Sequence, residues 1–175
     1  MILLWAVLCL SLPVLAADAP LPQFSLTSPG WENNGVIPDR YTCRGADMSP
    51  ALAMKNAPAG AAAFVLTVHD PEGSVGPWVH WLVYNIPQSG TEIKENSNPG
   101  TEALNDFGNF YYSGPCLMDE RKHRFIFTMY ALNEPLDNVT EGATMDTLLK
   151  AMNGRIMAKA EFVGVYQNPA VKKEP

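Results

Sequence analysis

The chain's three histidines, His69, His80 and His123, all fall in or beside strand-like apolar runs. The span "LTVHDPEGSVGPWVHWLVYNIP", residues 66–87, crowds two of them together with Asp70, Glu72, Trp78 and Trp81. Imidazole changes charge near neutral pH. A carboxylate hydrogen-bonded to one ring nitrogen favours the imidazolium, whose other N–H is then a charge-assisted donor to an anion. Asp70, His80 and His123, walled by Trp78 and Phe125, can build one pocket where their strand faces converge, and Asp70 could there orient and charge one of the two histidines. With Glu72 the same residue types could ligate a metal, but the spacing of His80, His123, Asp70 and Glu72 matches no standard zinc signature. Covalent catalysis finds little support. No G-x-S-x-G occurs, and Cys116 with His123 as its base competes with a disulfide that would leave no thiol to attack. A histidine among aromatics is more often packing than chemistry, and this is the plainer reading of His69.

Strands must hold these groups. The runs "AAFVLTVHD", "WVHWLVYNI", "HRFIFTMYAL" and "KAEFVGVYQ" are rich in β-branched and aromatic residues and are bounded by Gly, Pro, Asn or Asp. A period of two sets Phe64, Leu66, Val68 and Asp70 on one face of the first run and His69 on the other. It groups Trp78, His80, Leu82 and Tyr84 in the second, with Trp81 opposite, and His123, Phe125 and Phe127 in the third. Apolar residues occupy both faces in part, as in strands covered on two sides. Met145, Leu148, Leu149 and Met152 follow helical spacing behind Thr144 as an N-cap, and Gly154 ends the pattern. Residues 17–62 are loop-rich, with only short strands. These elements predict a mainly β fold, an antiparallel Greek-key β-sandwich with one or two peripheral helices, in a single domain over 17–175.

The chain has 175 residues, 47% hydrophobic and 17% charged, enough for one real core. A net charge of −6 without a basic run argues against nucleic acid as a partner. Ile2 to Leu15 is apolar and short for a membrane span, and Val14-Leu15-Ala16 has the small-residue form of a signal-peptidase site. Residues 1–16 are therefore expected to be a signal peptide, an uncleaved anchor being the alternative. The expected location is periplasmic or secreted, with no stable membrane insertion once the signal is removed. In an oxidising compartment the two remaining cysteines, Cys43 and Cys116, are expected to form a disulfide.

"HDPEGSVGPWVHW" resembles the D-P-D-x-P…W-x-H-W segment of the phosphatidylethanolamine-binding protein family, in particular its bacterial, Raf-kinase-inhibitor-like branch. "YSGPCLMDERKHRFIF" is similar to that family's G-P-x-P-P…G-x-H-R-Y segment, and "CRGADMSPALAMKNAP" to its C-x-G-x-x-x-S-P-x-L stretch. "AMNGRIMAKAEFVGVY" resembles its closing helix and strand. The resemblance implies a β-sandwich with a small anion-accepting pocket near one end, formed by Asp70, Glu72, Trp78, His80, Gly114, Pro115, His123 and Phe125. Backbone N–H groups of the Gly114 loop would complete an anion nest. Glu72 departs from the family's second Asp, Phe125 from its Tyr, and "LMDERK" from the Pro-rich approach to His123, so the pocket has one hydroxyl donor fewer. The expected function is non-catalytic binding of a phosphate- or phosphorylethanolamine-like anion or a phospholipid head group, without a cofactor. Alternatives are a protein-interaction module inhibiting a protease or kinase, and a metal-dependent hydrolase. A homodimer is compatible with the sequence, which names no protein partner.

Overall fold

The segment "AFVLTVHD" is apolar at both alternating positions, so a strand made from it needs cover on two faces. The computed structural model, which describes residues 23–169, provides both covers. The expected signal peptide lies outside the described residues. In chain order the strands are β1 (Ser25–Thr27), β2 (Gly35–Val36), β3 (Leu52–Lys55), β4 (Ala63–Asp70), β5 (Trp78–Pro87), β6 (Glu92–Ile93), β7 (Thr101–Glu102), β8 (His123–Leu132) and β9 (Ile156–Tyr166). One helix, α1 (Met145–Met152), lies between β8 and β9, and a 3-10 turn spans Asp39–Tyr41.

A six-stranded sheet has the order β2-β9-β8-β4-β5-β7, and a three-stranded sheet the order β1-β3-β6. All pairings are antiparallel except β2 with β9, which run parallel. The expected sandwich is therefore present, with one parallel pair at its edge. Between the sheets, Phe64, Leu66, Val68, Trp81 and Phe127 pack against Leu26, Leu52 and Met54. On the other face Val65, Leu82 and Leu132 pack against Leu136, Leu148 and Met152, so α1 and its approach supply the second cover. Leu149, expected on the buried face of α1, is 44% exposed, because the stripe that meets the sheet runs through Leu148 and Met152. Past the helix C-cap at Asn153, Gly154 takes φ +77°, a left-handed conformation that suits glycine.

β4 lies between β5 and β8, both antiparallel to it. The end of β4 must therefore meet the starts of β5 and β8. Asp70 pairs with Trp78, and His69 with both Val79 and Ile126. One expectation fails at this point. Val68 pairs with Trp81 but His69 with Val79, so His80 is an extra residue in β5 without a partner on β4. This bulge puts Trp78 and Trp81 on the same side, where strict alternation sets them apart, and sends Leu82 to the helix-side core. Bulges commonly re-aim a side chain beside a site, and this one keeps His80 on the side of Trp78 and Asp70.

Candidate functional site

At the meeting of these strand ends lies a cavity of about 300 Å³ whose lining includes Asp70, Trp78, His80 and His123. Three further segments close it: the turn after β4, with Gly73 and Ser74; Phe107; and the loop running from Cys116 through Leu117, Met118 and Asp119 to His123.

Asp70 and His123 form the rear wall, each 3% exposed. Nδ1 of His123 donates to Oδ2 of Asp70 at 2.6 Å, while Oδ1 of Asp70 accepts the Glu72 N–H at 2.8 Å. The carboxylate thus fixes both the imidazole and the turn that follows β4. Nε2 of His123 is buried without a hydrogen-bond partner among the described residues. It lies 3.2 Å from Oδ1 of Asp119, close enough for an ion pair but outside hydrogen-bond alignment.

His80 plays a different part. Its Nδ1 donates to the Ser113 carbonyl at 2.5 Å, and its ring stands edge-on to Phe107 at 5.2 Å and to Phe125 at 5.0 Å. Burial pushes this imidazole below its ordinary value of 6.5, against the backbone of Ser113 and Gly114 and the charge of Asp70, which favour the proton. Burial lowers His69 in the same way. The fold therefore binds these protons less readily than the unfolded chain does. Their stability contribution is complete above about pH 6.5 and is lost as pH falls through the folded values. Thermal midpoints should drop between about pH 7 and 5, and less steeply in His80→Gln; equal slopes in the two proteins would place the acid sensitivity elsewhere.

The other expected site residues lie beside the cavity instead of lining it. Glu72 turns outward to Arg124, whose Nε and backbone N–H reach its carboxylate at 2.8 and 3.0 Å. Burial pushes the Glu72 carboxyl up, but the Arg124 hydrogen bonds outweigh it and hold the group below the usual carboxylate range. The Gly114 N–H donates to Oδ1 of Asp47 at 2.8 Å, so it does not form the expected anion nest. The Pro115 carbonyl accepts from Cys43, and Phe125 is buried behind His80. Cys43 and Cys116 form the expected disulfide, with Cα atoms 5.3 Å apart, which removes Cys116 as a nucleophile. Among the described residues no group of three or more His, Cys, Asp or Glu side chains is arranged to hold a metal, and Glu72 is turned away from the two histidines. His69 faces the helix side of the sheet, as alternation predicts, in a hollow with Tyr130 and Leu149.

Sequence reasoning missed Phe107, Asn105 and Asp119. Asn105 is buried and organises the whole 105–113 loop. Its Oδ1 accepts from the N–H groups of Phe107 and Asn109 at 3.0 and 2.9 Å, and its Nδ2 donates to the carbonyls of His80 and Tyr111 at 3.0 and 2.9 Å. Phe107 is thereby held edge-on to Trp78, with ring centroids 5.7 Å apart. An Asn-rich turn, "NDFGNF", was the available signal.

Fold and cavity define a two-sheet β-sandwich protein with a small histidine-walled pocket at one end of its central strands. The family profile described as "Phosphatidylethanolamine-binding protein" matches residues 27–167, and the chain belongs to that family. A UPF0098 protein of Chlamydia trachomatis is 38% identical over 148 residues, covering 81% of this chain and 97% of the relative. One from Methanothermobacter thermautotrophicus is 33% identical over 150 residues, covering 82% and 98%. Among solved structures, a protein of Chlamydia trachomatis described as a putative phosphatidylethanolamine-binding protein homolog, CT736, is similar with a TM-score of 0.79 and 38% identity, covering 83% of this chain and 98% of that one. Escherichia coli YbcL shares the fold, with a TM-score of 0.78 at 24% identity, covering 84% and 99%.

Proposed function

We propose that this protein binds a small anion of the phosphate or phosphorylethanolamine type in the cavity beside His123, performs no chemistry on it, and works in the periplasm or as a secreted protein. One observation carries the reading: His123, held at Nδ1 by Asp70, has its buried Nε2 at a cavity wall without a hydrogen-bond partner among the described residues. With the ring doubly protonated, Nε2–H is a charge-assisted donor to an anionic oxygen. Trp78 and Phe107 flank the cavity and suit an apolar part of the ligand. The absence of catalysis is inferred from the lining: the cysteine there is disulfide-bonded, and the described residues that line the cavity include no free thiol. The apolar amino-terminal segment and the disulfide support the location.

Titration calorimetry with phosphate and with phosphorylethanolamine should give saturable one-site binding, lost in the Asp70→Asn/His123→Gln double variant. Equal affinity in the double variant would remove this pocket from the reading.

A further inference from the structure

Asp119 stands in "LMDERK", the stretch between Cys116 and His123, and its carboxylate is the group that meets Nε2 of His123, at 3.2 Å. That nitrogen is also the one through which an external anion would bind. We infer that Asp119 is a resident occupant of the anion position, an intramolecular carboxylate that any ligand anion must displace from His123 before it binds. The ligand arm of this inference rests on the function proposed above.

Three features make the side chain a displaceable plug. It is ionised, because the Arg121 guanidinium holds its carboxyl below the usual carboxylate range. Its contact with His123 is weak, since 3.2 Å without hydrogen-bond alignment forfeits most of the directional energy of a charge-assisted bond. It also has somewhere to go: the side chain is 38% exposed, whereas His123 is buried.

The surrounding loop is pinned, so the carboxylate can rotate away without the backbone moving. Cys116 is tied to Cys43, the Leu117 carbonyl accepts from Asn168 at 2.7 Å, and the Glu120 carbonyl accepts from Gln167 at 2.8 Å. Arg121 sets the resting position. Its backbone N–H reaches Oδ1 of Asp119 at 3.0 Å, its Nε reaches Oδ2 at 2.8 Å, and one terminal nitrogen also donates to the Glu72 carbonyl at 3.2 Å. The plug is thus latched to the turn that follows β4, on the opposite rim of the cavity.

Two measurements on Asp119→Asn test the inference, with Glu120→Gln as a control that removes an equal charge from an exposed neighbour. Inorganic phosphate should bind Asp119→Asn about tenfold more tightly than wild type, the scale of one net charge-assisted hydrogen bond, while Glu120→Gln stays within about twofold. Modification of His123 by diethyl pyrocarbonate, followed by peptide mass mapping, needs no ligand and should run several-fold faster in Asp119→Asn than in the other two proteins. Wild-type phosphate affinity in Asp119→Asn would overturn the competitor role, even if His123 reacted faster. An equal gain in Glu120→Gln would reduce the effect to net charge and overturn it too. If phosphate bound none of the proteins, the proposed function would fall, and an unchanged modification rate would then dispose of the plug as well.

Discussion

His123→Ala is expected to lower folding stability by about 3–5 kcal/mol and to abolish phosphate binding. The stability loss arises from Asp70, which is buried with its partner and keeps only the Glu72 N–H once the imidazole is gone. A buried carboxylate stripped of its partner must be desolvated without compensation. Replacing both members conservatively, as Asp70→Asn/His123→Gln, should recover most of the stability and none of the binding. This pattern separates a structural pair from a binding pair. Chemical denaturation monitored through tryptophan fluorescence gives the first quantity and calorimetry the second. A His123→Ala protein as stable as wild type would mean that Asp70 is solvated in solution, and the rear wall of the cavity would have to be redrawn.

Removing the disulfide should have the next largest effect. Cys43 and Cys116 are separated by 73 positions, and closing a loop of that size constrains the unfolded chain by about 4 kcal/mol in the chain-entropy account. Cys43→Ser/Cys116→Ser is accordingly expected to melt roughly 10 °C lower than the oxidised wild type. The loss extends to the site, because Leu117 and Asp119 line the cavity directly after Cys116. Thermal melts of the oxidised wild type with and without reductant check the same point. A shift under about 2 °C would show that the backbone contacts of this loop, including Cys43 N–H to the Pro115 carbonyl, hold it without the bond.

The long strands were readable because their patterns are strong and their ends marked. "HRFIFTMYAL" coincides with β8, and "WVHWLVYNI" differs from β5 only at its end. β9 begins earlier than expected, at Ile156, whose exposed side chain and that of Met157 break the burial pattern a strand reading relies on. The facing of Trp81 and Leu82 was not readable, because the extra residue at His80 carries no Gly or Pro to announce it. β2, β6 and β7 have two residues each, too few to display a period.

In the site, Asp70, Trp78, His80 and His123 could be found because each sits at the end or start of a strong strand. The partners of Glu72 and Gly114 could not. Arg124 and Asp47 reach them across 52 and 67 positions, and no local spacing encodes such contacts. Asp119 was visible as a departure in the loop before His123, but its approach to Nε2 depends on how Cys116, Asn168 and Gln167 pin that loop.

The parallel pairing of β2 with β9 bears on how the chain reaches this structure. It joins Gly35 to Gly164 and Val36 to Val165, while Trp31, just before β2, packs against Phe127 and Phe162. Contacts between segments so distant in sequence incur their loop-closure entropy before they return any stability, which slows folding relative to chains rich in local contacts. The Asp70–His123 pair belongs to the same long-range class, spanning 53 positions. During synthesis, a chain that has emerged only as far as α1 still lacks β9, the strand that covers the outer edge of β8, so the six-stranded sheet closes only after the carboxy-terminal segment is made.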